Sequence, residues 1–558
     1  MPEEAIESKR AAAVGKPPQD KGRIGGSTAI GSSPFLHPSL FAILPVVSSL
    51  AGNIEIFGLH YALRPMLIML AVAEGAAVVL WKILRHKELA ALVTTVFLVL
   101  FTSYGHVIIT IRFFLGGEFL SPHIYIAPLW VAMFIFVVWA ASRERDRLGN
   151  FTGIMNATAA IALAVPLIRI GAHEAQVNQL WEPEGIRESS FPRATDDGQM
   201  PDIYYIILDG YGREDVLKDV YDFDNAGFLS FLEEHGFFVA GQSRANYAQT
   251  VLSLASSLNM EYLGEVAEDV GESSQNVRPL ARLVRHNQVR RLLEGLGYTV
   301  VALSTGYRRT ELEDADLFLR APEAGLTTLE SLLIETSGLM TVYDLSPLLS
   351  FHPAYPGYLS HRSRTLFSLR ELEEMARIAG PKFVFVHIVI PHPPFVFGDD
   401  GQEVVQNQFY ELGDASDYLG GSTEYIQRYT AQLEFLNPQI EQVIEKIISS
   451  SGVPPIIIIQ GDHGPAAYLN WSKPPLESDL RERMTILSAY HLPGVDTQAI
   501  SNSISPVNTF RVLFNEYFGT QYDLLPDESY YSSTRHPYEF MQVPREVLGN
   551  SAVEATAP

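Results

Sequence analysis

The sequence contains no cysteine among its 558 residues. Disulfides, thiolate metal clusters and cysteine nucleophiles are therefore excluded. Basic residues are also scarce, because 40 Lys and Arg face 64 Asp and Glu, a formal net charge of −24. The whole excess lies after residue 200, where 24 basic residues oppose 48 acidic ones. Since phosphate backbones are bound mainly by Lys and Arg, nucleic acid is not an expected partner.

Long hydrophobic runs, by contrast, fill the first third of the chain. Most of them approach the roughly 20 residues that a membrane-spanning helix needs. We predict about five spans within a transmembrane domain at 36–171, behind a Gly-, Pro- and Ser-rich disordered tail at 1–35. The first run is short and contains Pro45, so an interfacial helix followed by four spans is the alternative. The runs lie at 36–50, 66–84, 89–109, 124–141 and 151–170.

The charges between these runs predict how the chain crosses the membrane, because cytoplasmic loops collect Lys and Arg. Basic residues are frequent in the tail and in the second and fourth connections, whereas the others offer only Arg64 and Arg112. We therefore expect a multi-pass protein of the plasma (inner) membrane with a cytoplasmic N-terminus and an extracytoplasmic C-terminal domain. The basic residues are Lys9, Arg10, Lys16, Lys21 and Arg23, then Lys82, Arg85 and Lys87, then Arg143, Arg145 and Arg147.

Glu74 lies inside the second apolar run. A carboxyl group is costly in hydrocarbon, so such a residue is a candidate for function or a paired group facing the helix bundle. The sequence identifies no partner for it.

After a polar linker at 172–200, short apolar runs alternate with helical patterns, which predicts an α/β domain at 201–545 with a mainly parallel sheet. Residues 310–350 fit this alternation poorly and are interpreted as an insertion over the site or toward the membrane. Residues 546–558 are predicted to be disordered. The predicted strands are 203–208, 299–303, 383–390 and 456–459, and the predicted helices are near 225–235, 281–296, 361–379 and 422–449.

Two of the predicted strands run into polar residues that suit a metal site. Asp209 follows the first strand, and Asp462 and His463 follow the last. Ligands of parallel sheets bind at the carboxyl ends of strands. A carboxylate next to an imidazole suits a divalent cation such as Zn or Mn. Asp209 with Gly210 alone is also typical of a turn.

Thr250 precedes an apolar stretch of helical character. Its hydroxyl is interpreted either as a helix cap or, beside a cation, as a nucleophile. His392 stands in a proline-rich strand exit, where it could donate to a tetrahedral anion. His387 lies within the predicted strand and is interpreted as a core or sheet-face histidine.

Taken in this order, the residues resemble the alkaline phosphatase/sulfatase superfamily, and more closely its membrane-anchored branch of lipoteichoic acid synthases and lipid A phosphoethanolamine transferases. The resemblance implies one divalent ion (Zn or Mn, with Mg possible) bound by Asp209, Thr250, Asp462 and His463. It also implies Thr250 as a nucleophile that forms a phospho-threonine and His392 as a group that steadies the phosphoryl oxygens. Matching segments are Pro391-His392-Pro393-Pro394-Phe395, Tyr429 to Leu433, and Ile504 to Phe510.

Two departures from the family pattern bear on the chemistry. The branch usually presents Glu where this chain has Asp209, and no second metal set is visible near Asp209 or Asp462. A formylglycine sulfatase needs Cys or Ser followed by Pro and Arg, whereas Thr250 is followed by Val251.

The leading functional hypothesis is a metal-dependent phosphotransferase that moves a lipid-derived headgroup to an extracytoplasmic acceptor. Its substrate would be a lipid or phosphate ester at the bilayer. The alternative is a sulfatase-like hydrolase of phosphate or sulfate esters. A catalytically inactive, membrane-tethered binding module is the hypothesis from another class.

Overall fold

The computed structural model describes residues 33–54, 58–115, 122–177, 200–321, 326–345, 356–404, 410, 412–418, 420–475, 479–497 and 500–548. The predicted tail at 1–35 and the linker at 172–200 therefore lie mostly outside the described residues, as does all but the beginning of 546–558. The described chain begins with five apolar helices, which are α1 (Leu36–Gly52), α2 (Leu63–Leu84), α3 (Lys87–Leu115), α4 (His123–Arg143) and α5 (Leu148–Val177).

Four candidate membrane spans are found among the described helices, at Leu59–Leu84, Lys87–Arg112, His123–Arg143 and Arg145–Ala175. Helix α1 is the predicted first run, and at 17 residues it is shorter than these four. The predicted apolar runs thus all form helices, and four of them have the length and composition of a span.

Helix α5 extends beyond its predicted end at residue 170 and includes residues assigned to the linker. The added turn contains Ala172, Glu174 and Ala175, which favour helix regardless of hydropathy. The first residues of the predicted linker, 172–177, are therefore helical, because a helix ends where its backbone hydrogen bonding ends rather than where its apolar run does.

Glu74 has a partner that the sequence does not identify. The hydroxyl of Ser39 in α1 donates to Oε1 of Glu74 in α2. Four residues earlier, the ring of Phe35 lies 6.3 Å from that of Trp81, measured between centroids. Helix α1 therefore runs antiparallel to α2, and the interpretation of Glu74 as a paired group fits these contacts.

The described residues fall into two compact units. One holds 33–44, 68–100 and 128–165, which include the basic α2–α3 and α4–α5 connections. The other holds 45–67, 101–127 and the chain from 166 onward, so it joins the remaining helix ends to the α/β domain.

The α/β domain is built on a seven-stranded sheet of order β2-β7-β6-β1-β5-β3-β4. Strands β6, β1, β5, β3 and β4 are parallel, and β7 pairs antiparallel with β6 and β2. The predicted mainly parallel sheet is confirmed. The strands are β1 (Ile203–Leu208), β2 (Phe238–Val239), β3 (Thr299–Leu303), β4 (Leu317–Leu319), β5 (Lys382–Ile388), β6 (Ile456–Gln460) and β7 (Ser488–His491), with a separate hairpin of β8 (Tyr530–Ser533) and β9 (His536–Gln542).

Helices cover both faces of this sheet. Alternate residues of β1 enter opposite cores, with Tyr205 on one face and Tyr204 on the other. The first core is closed by α8, α10, α11 and α17, and the second by α7, α14 and α15. The helices are α6 (Glu214–Tyr221), α7 (Ala226–Glu234), α8 (Thr250–Asn259), α9 (Gly264–Val270), α10 (Arg278–Arg285), α11 (Gln288–Gly295), α12 (Thr328–Glu335), α13 (Met340–Leu345), α14 (Pro356–Glu374), α15 (Gly421–Ser450), α16 (Leu480–Met484) and α17 (Pro506–Phe518).

Two predicted elements differ from the structure. The single helix predicted near 281–296 is two helices, because the Asn287 side chain accepts from the Arg290 N–H and so begins α11. The strand predicted at 383–390 is β5, which ends at Ile388.

The poorly fitting segment 310–350 contains β4, α12 and α13 and packs on helix ends of its own unit. Arg64 pairs with Glu330, Arg112 pairs with Asp344, and the Gly338 N–H donates to the Phe101 carbonyl. These contacts favour the interpretation of this segment as an insertion toward the apolar helices.

Candidate functional site

Three neighbouring strands deliver the predicted site residues to one edge of the sheet. Asp209 follows β1, His392 lies four residues beyond β5, and Asp462 and His463 follow β6. Strand β1 lies between β5 and β6, and all three are parallel. The carboxyl ends of the three strands therefore meet, as expected for a ligand site of such a sheet.

Thr250 reaches the same place from the start of α8. Gln249 has extended backbone angles, so the helix begins at Thr250 itself. The Thr250 hydroxyl lies 3.1 Å from Nε2 of His463. Every residue from Thr250 to Leu258 is buried, which fixes the helix against the sheet.

Both aspartates are held by hydrogen bonds on one side only. His387 Nε2 donates to Oδ2 of Asp209 at 3.0 Å, and the Gly210 N–H donates to Oδ1 of Asp462 at 3.1 Å. Oδ1 of Asp209 and Oδ2 of Asp462 are buried and have no hydrogen-bond partner in the described structure. Buried carboxylate oxygens without a partner are costly, so a ligand is expected to complete them.

His463 faces these oxygens with an unprotonated nitrogen. Its Nδ1 donates to the carbonyl of Gly464 at 3.0 Å, which leaves the lone pair on Nε2. Nε2 lies 3.5 Å from Oδ1 of Asp209 and 3.4 Å from Oδ2 of Asp462. Burial and the nearby charge of Arg483 lower the pKa of His463, which favours the neutral ring.

The donor set formed by Asp209, Thr250, Asp462 and His463 fits a divalent cation. It offers two orphaned carboxylate oxygens, one imidazole nitrogen and one hydroxyl, which are the ligand types that Zn and Mn accept. Ligand atoms of Asp209, His392 and His463 all lie within 4.8 Å of one another, as do those of Asp209, His387 and Asp462.

His392 lies beside this donor set as a charged group. Its Nε2 is 3.4 Å from Oδ2 of Asp414, and its ring centroid is 5.9 Å from that of His463. Burial would lower the pKa of His392, but the carboxylates of Asp209 and Asp414 outweigh it and raise the pKa to about 9. Burial likewise opposes ionisation of Asp209, yet His392 and His387 hold its pKa below the usual range.

Sequence reasoning missed three members of this site. His387 was interpreted as a core histidine, and it is buried and hydrogen-bonded, but its partner is Asp209, and the Thr310 hydroxyl contacts its other nitrogen at 2.9 Å. Asp414 and Arg483 form a buried ion pair that touches His392 and His463. No local motif marks Asp414 or Arg483, because tertiary packing alone brings them to the strand ends.

Part of this domain is similar to a known protein family. Residues 333–515 match the family model described as Sulfatase, a range that contains His392, Asp462 and His463 but not Asp209 or Thr250. No curated protein matches the chain.

Several solved structures are similar to the chain at low identity. One is the C-terminal periplasmic domain of EcEptC from Escherichia coli, with 12% identity, a TM-score of 0.37, and coverage of 63% of this chain and 96% of that chain. Another is the soluble domain of lipooligosaccharide phosphoethanolamine transferase A from Neisseria meningitidis, with 12% identity, a TM-score of 0.34, and coverage of 58% and 89%. A third is the lipoteichoic acid synthase LtaP from Listeria monocytogenes, with 14% identity, a TM-score of 0.36, and coverage of 64% and 83%.

The matched range contains strands β5, β6 and β7, and with them the site residues that follow β5 and β6. The part of the α/β domain at 333–515 is therefore similar to the Sulfatase family.

Proposed function

We propose that this protein is a membrane-anchored phosphotransferase that moves a phospho-headgroup from a lipid to an extracytoplasmic acceptor through a phospho-threonine at Thr250. The observation that carries this proposal is the position of the Thr250 hydroxyl, 3.1 Å from Nε2 of His463. The same nitrogen faces two buried carboxylates, each with an oxygen that has no hydrogen-bond partner among the described residues. A hydroxyl that only capped a helix would not need this surrounding.

Thr250 Oγ1 would form a bond to phosphorus while the bond from phosphorus to the lipid oxygen breaks. The lipid alcohol leaves with the proton that the threonine loses. An acceptor hydroxyl then attacks the same phosphorus, the bond to Oγ1 breaks, and Thr250 regains a proton. A divalent cation held by Asp209, Thr250, Asp462 and His463 would lower the pKa of the hydroxyl and neutralise charge on the phosphoryl oxygens.

The other residues of the site would bind and orient the phosphoryl group. The charged His392 would donate to a non-bridging oxygen, since Asp414 and Asp209 keep it protonated. The first N–H groups of α8 have no partners within the helix and favour an anion at Thr250.

The arrangement of the apolar helices supports an extracytoplasmic α/β domain. Helix α1 is about 25 Å long at 1.5 Å per residue and runs antiparallel to α2, as a membrane span would. If α1 also crosses the membrane, the five apolar helices would put the domain on the side opposite the N-terminus. The basic residues of the α2–α3 and α4–α5 connections would mark the cytoplasmic side, since cytoplasmic loops are enriched in Lys and Arg.

The test is to trap the intermediate. The full-length protein in vesicles is loaded with Mn or Zn, given phosphatidylglycerol or phosphatidylethanolamine labelled at phosphorus, quenched in acid and digested. Label is expected on the peptide carrying Thr250, together with release of diacylglycerol. Thr250→Ala should carry no label, whereas Thr250→Ser, which keeps a hydroxyl, should be labelled at the substituted residue.

Other outcomes would contradict the proposal. Fast water-dependent turnover of chromogenic phosphate or sulfate esters, without diacylglycerol release, would establish the sulfatase-like hydrolase instead. Activity that survives in Thr250→Ala, or a protein that retains no cation, would refute the assigned site.

A further inference from the structure

Arg483 is buried beside the candidate site, with 3% of its side chain exposed. Its Nε donates to the carbonyl of Ala248 at 2.8 Å, and Nη1 donates to the carbonyl of Gly464 at 3.2 Å. Ala248 precedes Thr250 by two residues, and Gly464 follows His463. The guanidinium group therefore bonds to both chain segments that carry the proposed nucleophile and the proposed imidazole ligand.

The orientation of this guanidinium group is set by Asp414. Nη1 of Arg483 donates to Oδ2 of Asp414 at 2.5 Å, and the same oxygen lies 3.4 Å from Nε2 of His392. The face of the guanidinium group packs 5.4 Å from the ring of Trp471. Asp414 thus contacts both Arg483 and His392 through one oxygen.

The remaining nitrogen of Arg483, Nη2, carries two N–H donors. It contacts Nε2 of His463 at 3.1 Å, the same distance at which the Thr250 hydroxyl contacts that atom. Nη2 and Oγ1 of Thr250 are therefore at most 6.2 Å apart, twice 3.1 Å. A guanidinium group has five N–H donors, and the second N–H of Nη2 has no acceptor within the described residues.

The lone pair of His463 is also the one that a cation would use. An imidazole nitrogen has a single lone pair, so a cation bound there releases Nη2 from His463. Both N–H groups of Nη2 would then lie within about 6 Å of the Thr250 hydroxyl, with no acceptor among the described residues. Because a buried charged donor without a partner is costly, this arrangement calls for an anion.

We propose that Arg483 is a catalytic residue that binds the non-bridging oxygens of the phosphoryl group at Thr250, with Asp414 as its positioning residue. This inference rests on the proposed function and adds to it a phosphoryl-binding group of the protein's own. A planar guanidinium group matches the oxygens of a tetrahedral phosphoryl anion. It also supplies positive charge to a site within the strongly acidic part of the chain.

The test measures binding of inorganic phosphate to the metal-loaded, full-length protein by calorimetry. Arg483→Lys keeps the charge but loses the fork of donors, so we expect the phosphate Kd to rise about tenfold or more, while the affinity for Zn or Mn is not weakened. Arg511→Lys is the matched control, since Arg511 is a buried arginine that pairs with Glu261 and the Met260 carbonyl. Its phosphate Kd should change less than about twofold.

The opposite pattern would overturn the inference. An unchanged phosphate Kd with weakened metal binding in Arg483→Lys would make Arg483 a structural support of His463 only. If Arg483→Lys does not fold, Arg483→Gln retains some of the donors and is titrated in its place, and an unchanged phosphate Kd there is equally contradictory.

The two proposals fail separately. If Arg483 governs phosphate binding but no label moves from lipid to Thr250, the transferase proposal falls and this inference stands. If label moves and phosphate binding is independent of Arg483, only this inference falls.

Discussion

The buried carboxylates of the insertion and those of the candidate site, which belong to the same unit, differ in the groups that contact them. Glu330 and Asp344, in the insertion, have side chains 8% and 9% exposed and are paired with Arg64 and Arg112. Asp209 and Asp462 have side chains 4% and 0% exposed, and each has an oxygen without a hydrogen-bond partner among the described residues. The insertion carboxylates are each paired directly with an arginine, whereas His463 faces both site carboxylates and the charged His392 acts on Asp209 without a hydrogen bond to its open oxygen.

This difference separates a structural carboxylate from a ligand. An arginine that pairs with a carboxylate compensates its burial within the chain, and the pair holds two segments together. A buried carboxylate whose second oxygen has no partner in the protein needs a bound ligand, such as a cation, to compensate its burial. The following predictions test whether the distinction holds, beginning with the largest effect.

Removing a site carboxylate should weaken cation binding more than any other change considered for the site. Asp462→Asn or Asp209→Asn loses a charged donor, so we expect the affinity for Zn or Mn to fall about 100-fold or more, since even outer partners of ligands contribute 10- to 100-fold. Equilibrium dialysis followed by metal analysis measures this. Asp344→Asn is the matched control, because it neutralises an insertion carboxylate. If Asp344→Asn lost as much metal as the site variants, the site carboxylates would not differ from the insertion carboxylates in cation binding.

The site carboxylates could be predicted because their position follows from strand order alone. An apolar run that ends in Asp209, and another that ends in Asp462 and His463, must meet at one edge if both strands lie in a parallel sheet. Thr250 was harder to interpret, because a helix cap and a nucleophile use the same residue in the same place. The distance to His463 favours the second interpretation.

His387 shows why the rest could not be predicted. A histidine within an apolar strand is usually part of a core, and the sequence carries no information on strand register. In the structure His387 pairs with Ile207, two residues before Asp209, and this register brings its ring to the carboxylate. Arg483 and Asp414 depend in the same way on packing between distant segments.

The contact of His387 with Asp209 should strengthen cation binding, although His387 is not expected to be a ligand itself. His387→Ala removes the hydrogen bond to Oδ2, so we expect the affinity for Zn or Mn to fall by about 10- to 100-fold, less than for loss of Asp209 itself. The same dialysis measures it. His491→Ala is a suitable control, since His491 ends β7 and bonds to the Pro455 carbonyl. An unchanged affinity in His387→Ala would return this residue to a purely structural role.

The smallest effect on stability is expected at Glu330, because its partner Arg64 is more exposed than Arg112, the partner of Asp344. The Arg64 side chain is 48% exposed, and pairs of this kind contribute less than about 1 kcal/mol because water and salt screen them. Glu330 also completes a capping box at the start of α12, where Thr327 and Glu330 satisfy each other's backbone N–H groups. Glutamine serves a capping box as well as glutamate does.

Glu330→Gln should therefore lower the free energy of unfolding by less than about 1 kcal/mol, whereas Glu330→Ala, which loses the cap as well, should cost about 1 kcal/mol more. Denaturant unfolding of the detergent-solubilised protein measures both, and metal content should be unchanged in each. If Glu330→Gln were as damaging as Glu330→Ala, the charge rather than the cap would dominate. The paired insertion carboxylates would then depend on their counter-charge as strongly as the site carboxylates are proposed to depend on a cation.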